Sequence, residues 1–391
     1  MIAKIDIEQY TALPTEDTIA KYPTLMDIVE AIAVDEENKL MPVSPLAGTY
    51  MPDWLYYMTV VGHSMLMKYK GMPVLMPTAK RYDIYYRGES KYHDKCLPSL
   101  WRTEDKIQRE KDTDLSYLQT AEMMTIMLQH PVIRFMSTTP IRLSLSQGRM
   151  IEIIIPIQYD ALAQHYGIKT RYLDLTTDKW AAVFFAATDY KDGVYFVHRV
   201  KPDDEFKNKF GAFYIIQLPE DIEMLTKNNI LPIGQQYFNR PGSQSGLVMD
   251  MSKYKDLNKC PIAKKIYFRH DNQVSEQIYH LCQQGKRFFP YDSLQKVVDK
   301  IVKDSKKEFS KRALDLFRAI YYPTATNKEI SEKLKNIGAT IVNQSSITFD
   351  EDDVKREVDL WNRGGSERYL DSIHVADITP ASKFVISEIK K

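Results

Sequence analysis

Apolar and polar residues alternate through "RYDIYYRG". Tyr82, Ile84 and Tyr86 fall on one face, and Arg81, Asp83, Tyr85 and Arg87 on the other. A period of two predicts a half-buried strand, with Arg87 at its end on the face opposite Ile84. Upstream, "MPDWLYYMTVVGHSMLMKYKGMP" predicts a helix ending at Gly71, and "DTDLSYLQTAEMMTIMLQH" predicts another that stops before Pro131. The run Ile151–Ile157 reads as a buried strand. Asp160 is placed to cap a short helix, "ALAQHY", which Gly167 ends. In "TTDKWAAVFFAATD", Trp180, Val183, Phe184 and Ala187 form one helical stripe; Thr176 or Thr177 is its expected cap, with Asp178 in the first turn. Strands follow at "GVYFVHRV", "GAFYIIQL", "GLVMDM" and "KKIYFRH", then helices at "DNQVSEQIYHLCQQG" and "YDSLQKVVDKIVKDSKKEF".

This order is not a repeating strand–helix–strand unit. It predicts an α+β fold, a mixed or antiparallel sheet core with flanking helices. The chain divides by character into a helical or irregular segment at 1–77, a central domain at 78–300 and a mainly helical module at 301–391. In the last, Thr326 and Glu329 have the spacing of a capping box. The two helices about that turn resemble the first half of a helix-turn-helix, but acids follow where a DNA-reading helix would need basic or amide residues. Packing, or contacts between copies of the chain, is their expected use.

Composition narrows the classes further. The 391 residues are 44% hydrophobic and 27% charged with net charge +1, so no global field recruits nucleic acid or an anionic membrane. Three scattered cysteines, Cys96, Cys260 and Cys282, predict neither a disulfide framework nor a metal site. The N-terminal stretch carries acids early, and the most apolar run is too short to span a bilayer. The expectation is a cytoplasmic protein without a membrane contact. Phosphate-loop, dinucleotide-fold, Cys-x-x-Cys and nucleophile-elbow motifs are missing from the sequence, against kinase, dehydrogenase and hydrolase readings.

Five segments carry a resemblance: "YYRGES" at Tyr85–Ser90, "CLPSLWR" at Cys96–Arg102, Gln164–Thr176, "GSQSGLV" and "RFFPYDSL". In this order they resemble the FRG domain, a family of bacterial and phage proteins named for a Phe-Arg-Gly motif. Tyr86 stands here for the phenylalanine. The likeness runs from about Tyr82 to Leu294. More remotely, the motif order is similar to that of ADP-ribosyltransferases. In those enzymes an arginine on the first strand, a Ser-Thr-Ser segment opening a helix, and a later glutamate act together. Arg87, Thr176–Thr177 and Gln244 match that order, with an amide where the glutamate would stand.

The resemblance implies an effector in conflict between phage and host, with an NAD-binding pocket and an unidentified protein or nucleic-acid acceptor. NAD would be the substrate of an ADP-ribosyltransferase or NAD glycohydrolase, and no metal is implied. Arg87 would grip the pyrophosphate, with Gly88 admitting the ligand and Tyr86 beside it; Thr176 and Thr177 would hold the nicotinamide ribose. His165 and Gln244 would orient the reacting sugar. Each has a plainer reading: Arg87 in an ion pair with Asp83 or Asp174, the threonines as caps, His165 pinning a turn. Arg171 and Asp174 are the expected structural pair. Because an amide cannot stabilise an oxocarbenium by charge, Asp174 or Asp250 would have to substitute for Gln244 in an active enzyme. Two further readings stay open: a non-catalytic sensor of a nucleotide or phage component, and a structural interaction protein.

Overall fold

The computed structural model describes residues 7–38, 64–69, 72–77, 84–144, 150–154, 156–191, 193–218, 229–233, 238, 240–365 and 373–374. Helix α1 (Leu25–Asn38) precedes an antiparallel hairpin, β1 (Ser64–Tyr69) and β2 (Met72–Pro77), with Tyr69 opposite Met72. The hairpin corrects the helix expected to end at Gly71. Met65, Met67 and Tyr69 recur at a period of two, which cross-strand pairing uses and a helix would scatter. The earlier part of that expected helix, from Met51, lies outside the described residues.

Strand β3 (Ile84–Glu89) is followed by α2 (Lys106–Met127). Asp105 starts α2 well before its apolar stripe by accepting from the Ile107 and Gln108 amides. Helix α3 (Pro131–Thr138) begins on proline, and β4 (Ile141–Ser144) pairs with β5 (Met150–Ile153) in a separate ribbon. The run expected to be one buried strand is a strand only to Ile153, in a two-stranded ribbon of its own. Arg142 stands opposite Glu152 in the register, and Ile154 is exposed. Helix α4 (Tyr159–His165) ends in Gly167 at φ +95°, as read from the sequence. Asp160 does not cap it. Its carboxylate lies in the first turn and accepts from the Tyr321 hydroxyl.

Then come β6 (Tyr172–Thr176), α5 (Lys179–Ala187) and the ribbon β7 (Thr188–Lys191) with β8 (Val194–Val197). Asp178 caps α5, accepting from the Trp180 amide at 2.9 Å, so neither threonine has that role. Strands β9 (Phe210–Gln217) and β10 (Ile230–Pro232) lead through a single turn, α6 (Arg240–Ser243), to β11 (Gly246–Asp250) and β12 (Ala263–Arg269). Helices α7 (Asn272–Leu281) and α8 (Ser293–Lys303) come next, then β13 (Glu308–Ser310), α9 (Lys311–Tyr321), α10 (Asn327–Ile337), β14 (Thr340–Val342) and α11 (Glu351–Leu360). A last short strand, β15 (Ile373–His374), lies parallel to β1.

The largest sheet among the described residues has the order β10-β11-β6-β3-β9-β12 and is antiparallel throughout. With helices grouped on it, the fold is α+β. Tyr85 is fully buried, so β3 is a central strand covered on both faces, not a half-buried one. One face carries Tyr85, Leu173, Leu175, Tyr214 and Met249 under a cover that includes Cys96 and Leu257. On the other, Ile84, Tyr86 and Phe213 pack against α5, and Tyr172 and Val248 pack against α4 and α8. The C-terminal helices close over α2, where Phe309, Phe317 and Ile330 share a core with Leu118 and Ala121. The boundary expected at 300/301 falls inside α8. No helix among the described residues is long and apolar enough to cross a membrane.

Candidate functional site

The two central strands, β3 and β6, pair at one position, Tyr86 opposite Thr176. Beyond it Arg87 fills the divide. Its Nε and Nη2 donate to Glu89 Oε1 at 3.3 and 3.1 Å, and its Nη1 donates to the Asp174 carbonyl at 3.0 Å. Cys96 Sγ donates to the same Glu89 oxygen at 3.2 Å. Burial alone would raise the Glu89 carboxyl, but the Arg87 charge holds it below the usual range; burial pushes the Cys96 thiol up to about 12. The Arg87 fork is thus neutralised from within its own strand, by Glu89. Asp174 supplies only a carbonyl, and Asp83 lies outside the described residues.

The Asp174 side chain points the other way, towards α4. Gln164 Nε2 donates to Oδ2 at 2.9 Å, and His165 Nδ1 stands 3.1 Å from Oδ1, within ion-pair range but off the hydrogen-bond axis. Burial would raise this carboxyl. The His165 charge, then the bond from Gln164 and the charge of Arg87, outweigh it and bring it to about 2. Even so, 35% of the side chain is exposed, so an ionised carboxylate meets solvent. His165 is buried, and its Nε2 has no partner. Gly246 lies beneath the ring; a Cβ there would come within 2.2 Å of Nε2.

The expected Arg171–Asp174 pair is corrected. Positions three apart on a strand lie on opposite faces, so Arg171 Nε reaches Asp250 Oδ2 at 2.9 Å while Asp174 takes His165. Asp250 is thereby occupied at the far end of β6. Gly88 is corrected too: the close approach it permits is made by α5, since a Cβ would lie 1.9 Å from the Ala182 carbonyl oxygen. Tyr86 is core, 6.0 Å from Phe213 ring to ring. Thr176 Oγ1 accepts from the Asp178 amide at 2.9 Å and donates to the Gln244 carbonyl at 2.6 Å. Gln244 is buried, and its Nε2 donates to the Phe288 carbonyl at 3.0 Å. No hydrogen bond joins Arg87 to Gln244. His165, Asp174 and Thr177 do converge: the Thr177 amide donates to the Ser245 carbonyl at 3.2 Å, next to Gly246, and its buried hydroxyl has no partner.

Two residues at this site escaped the sequence reading. Arg240, in α6, stacks its guanidinium over the Tyr166 and Phe289 rings, at 5.3 and 4.8 Å. Tyr195, on β8, lies against Phe289 with ring centroids 4.7 Å apart. Burial pushes the Tyr195 phenol up to about 12, with the Arg240 charge acting against it, and both side chains pack on the Phe289 ring. The only sequence signal was the Arg-Pro-Gly turn; nothing linked it to residues forty-five and more positions away.

Beside the parting strands of an antiparallel sheet, an ionised carboxylate, an imidazole and a stacked guanidinium make up a candidate site. Residues 82–193 match the FRG domain, and the chain carries one. The match includes Arg87, His165, Asp174, Thr177 and the turn into β8. It ends well before Leu294, so Gln244, "GSQSGLV" and "RFFPYDSL" fall beyond it. No curated protein and no solved structure matches the chain.

Proposed function

We propose that this FRG-domain protein is a bacterial or prophage effector in phage–host conflict, with an ADP-ribosyltransferase-like core and an NAD-cleaving site in a cleft beside Asp174 and His165. The observation that carries the reading is Asp174, held ionised beside His165 yet open to solvent. Cleaving NAD breaks the bond between nicotinamide nitrogen and ribose C1′. Nicotinamide leaves with the electron pair, and C1′ becomes oxocarbenium-like. Asp174 supplies the stabilising charge there, and Thr177 and His165 Nε2 offer a hydroxyl and a ring nitrogen to the sugar. Water, or an acceptor hydroxyl, adds to C1′ and gives up its proton. Gln244, whose amide is spent on Phe288, has no part in this version.

Purified protein with labelled NAD should release nicotinamide or transfer label. Asp174→Asn should lower that rate by about a hundred- to thousandfold, the usual cost of removing one charge-stabilising group. A second reading, a non-catalytic nucleotide sensor, is favoured by the neutralised Arg87 fork. Tight NAD binding without turnover in the wild type would select it. Neither binding nor turnover would sink both.

A further inference from the structure

We propose that Arg240 is the anchor for a phosphate or pyrophosphate group of the molecule that enters this cleft. The proposal rests on the nucleotide reading above, but on residues that reading did not use. A guanidinium has five N–H donors. At Arg240 the hydrogen bond is from Nη1 to Gln295 Oε1, an uncharged acceptor, and the buried Nε has none. Among the described residues no carboxylate forms an ion pair with it, whereas Arg87, Arg171 and Arg287 each have one. The Tyr166 and Phe289 rings lie 5.3 and 4.8 Å from the guanidinium carbon, packing that favours a fixed planar fork. A fixed guanidinium with no carboxylate in ion-pair contact keeps donors to spare, and a planar fork suits phosphate oxygens bidentately.

The surroundings agree. Three buried polar atoms without a hydrogen-bond partner lie along the α6–β11 turn and the groups packed on it: Arg240 Nε, Thr177 Oγ1 and His165 Nε2. Buried orphans of this kind call for an outside partner. The arrangement is a divided one. Arg240, with Tyr195 and Phe289 beside it, faces an anionic and aromatic portion of the ligand. Asp174 and His165 face a sugar-like portion, and Asp174 itself would repel phosphate.

Inorganic pyrophosphate and ADP-ribose are the probes. In low salt the full-length protein should bind both by calorimetry, and Arg240→Gln should weaken both at least about tenfold, the value of one charged bidentate contact. Arg240→Lys should recover only part of this, since it restores charge without the fork. Arg199→Gln, on an exposed ion pair, should leave binding unchanged. On the wild type, pyrophosphate should protect Arg240 from phenylglyoxal, read by peptide mass, which keeps the test alive if the glutamine variant does not fold. Equal affinity in Arg240→Gln, or modification of Arg240 unaffected by saturating pyrophosphate, overturns the anchor. Binding is read without turnover, so an inactive protein that binds pyrophosphate at Arg240 removes the NAD-cleaving reading and keeps this one. Turnover surviving Arg240→Gln with unchanged KM does the reverse.

Discussion

Asp292 is the carboxylate whose environment runs opposite to that of Asp174. It is buried at the start of α8, where it accepts from the Leu294 amide at 3.0 Å and from the Tyr166 hydroxyl. Burial raises it to about 6, against the bonds from Tyr166 and Leu294 and the charge of Arg240. The folded chain therefore takes up a proton before an unfolded aspartate near pH 3.9 does, and this group adds stability as pH falls through about 6 towards 4. Urea midpoints of the wild type and Asp292→Asn should diverge over that window, with the variant missing a rise on the order of 1–2 kcal/mol. Parallel curves would assign the rise to other groups. Asp174 has the opposite sign: its contribution is present above an unfolded value of about 3.9 and is lost only as pH falls through about 2. That Arg171 would hold a carboxylate was legible, though the acid expected was Asp174 and the one it meets is Asp250. Which acid met which base was not, because the answer depends on the strand face and on where β11 lies.

At the scale of elements, α5 and β3 are locked together by Gly88. The helix carbonyl at Ala182 occupies the space of a side chain, so Gly88→Ala must push the two apart. Overpacking of this kind costs about 1–3 kcal/mol or more, and chemical denaturation should show it as an earlier midpoint at unchanged slope. Gly246→Ala acts locally instead. The added methyl meets the His165 ring, and NAD binding should fall along with stability; binding retained in a folded variant would remove His165 from the site. Strong single-period stretches such as the α5 stripe, β9 and β12 were readable, since each pattern belongs to one element. The β1–β2 hairpin was mistaken for a helix because methionine-rich, bulky sequence suits either state until a partner strand is known. The Ile151–Ile157 run misled for a related reason: apolar residues show that burial is favoured, not that a sheet is there to provide it.

Across the whole molecule, the C-terminal helices and α2 form one core, and Glu122, fully buried on α2, accepts from both the Ser310 amide and its hydroxyl at 2.9 and 2.8 Å. Phe317→Ala should cost about 3–5 kcal/mol and still give one cooperative transition. Two transitions, with only the C-terminal one shifted, would show 301–391 to be an independent module. The amino-acid order alone determined the α+β class, the Thr326–Glu329 capping box, and the FRG motifs through Thr176, because these are local: each depends on periodicity, a cap or a short contiguous segment. Only the tertiary structure decided that Arg87 is neutralised by Glu89, that Gln244 is buried, and that Arg240 packs on Tyr166 while Asp174 meets the neighbouring His165. Those outcomes depend on which strands pair and which faces helices cover, and no residue spacing along the chain encodes such long-range choices.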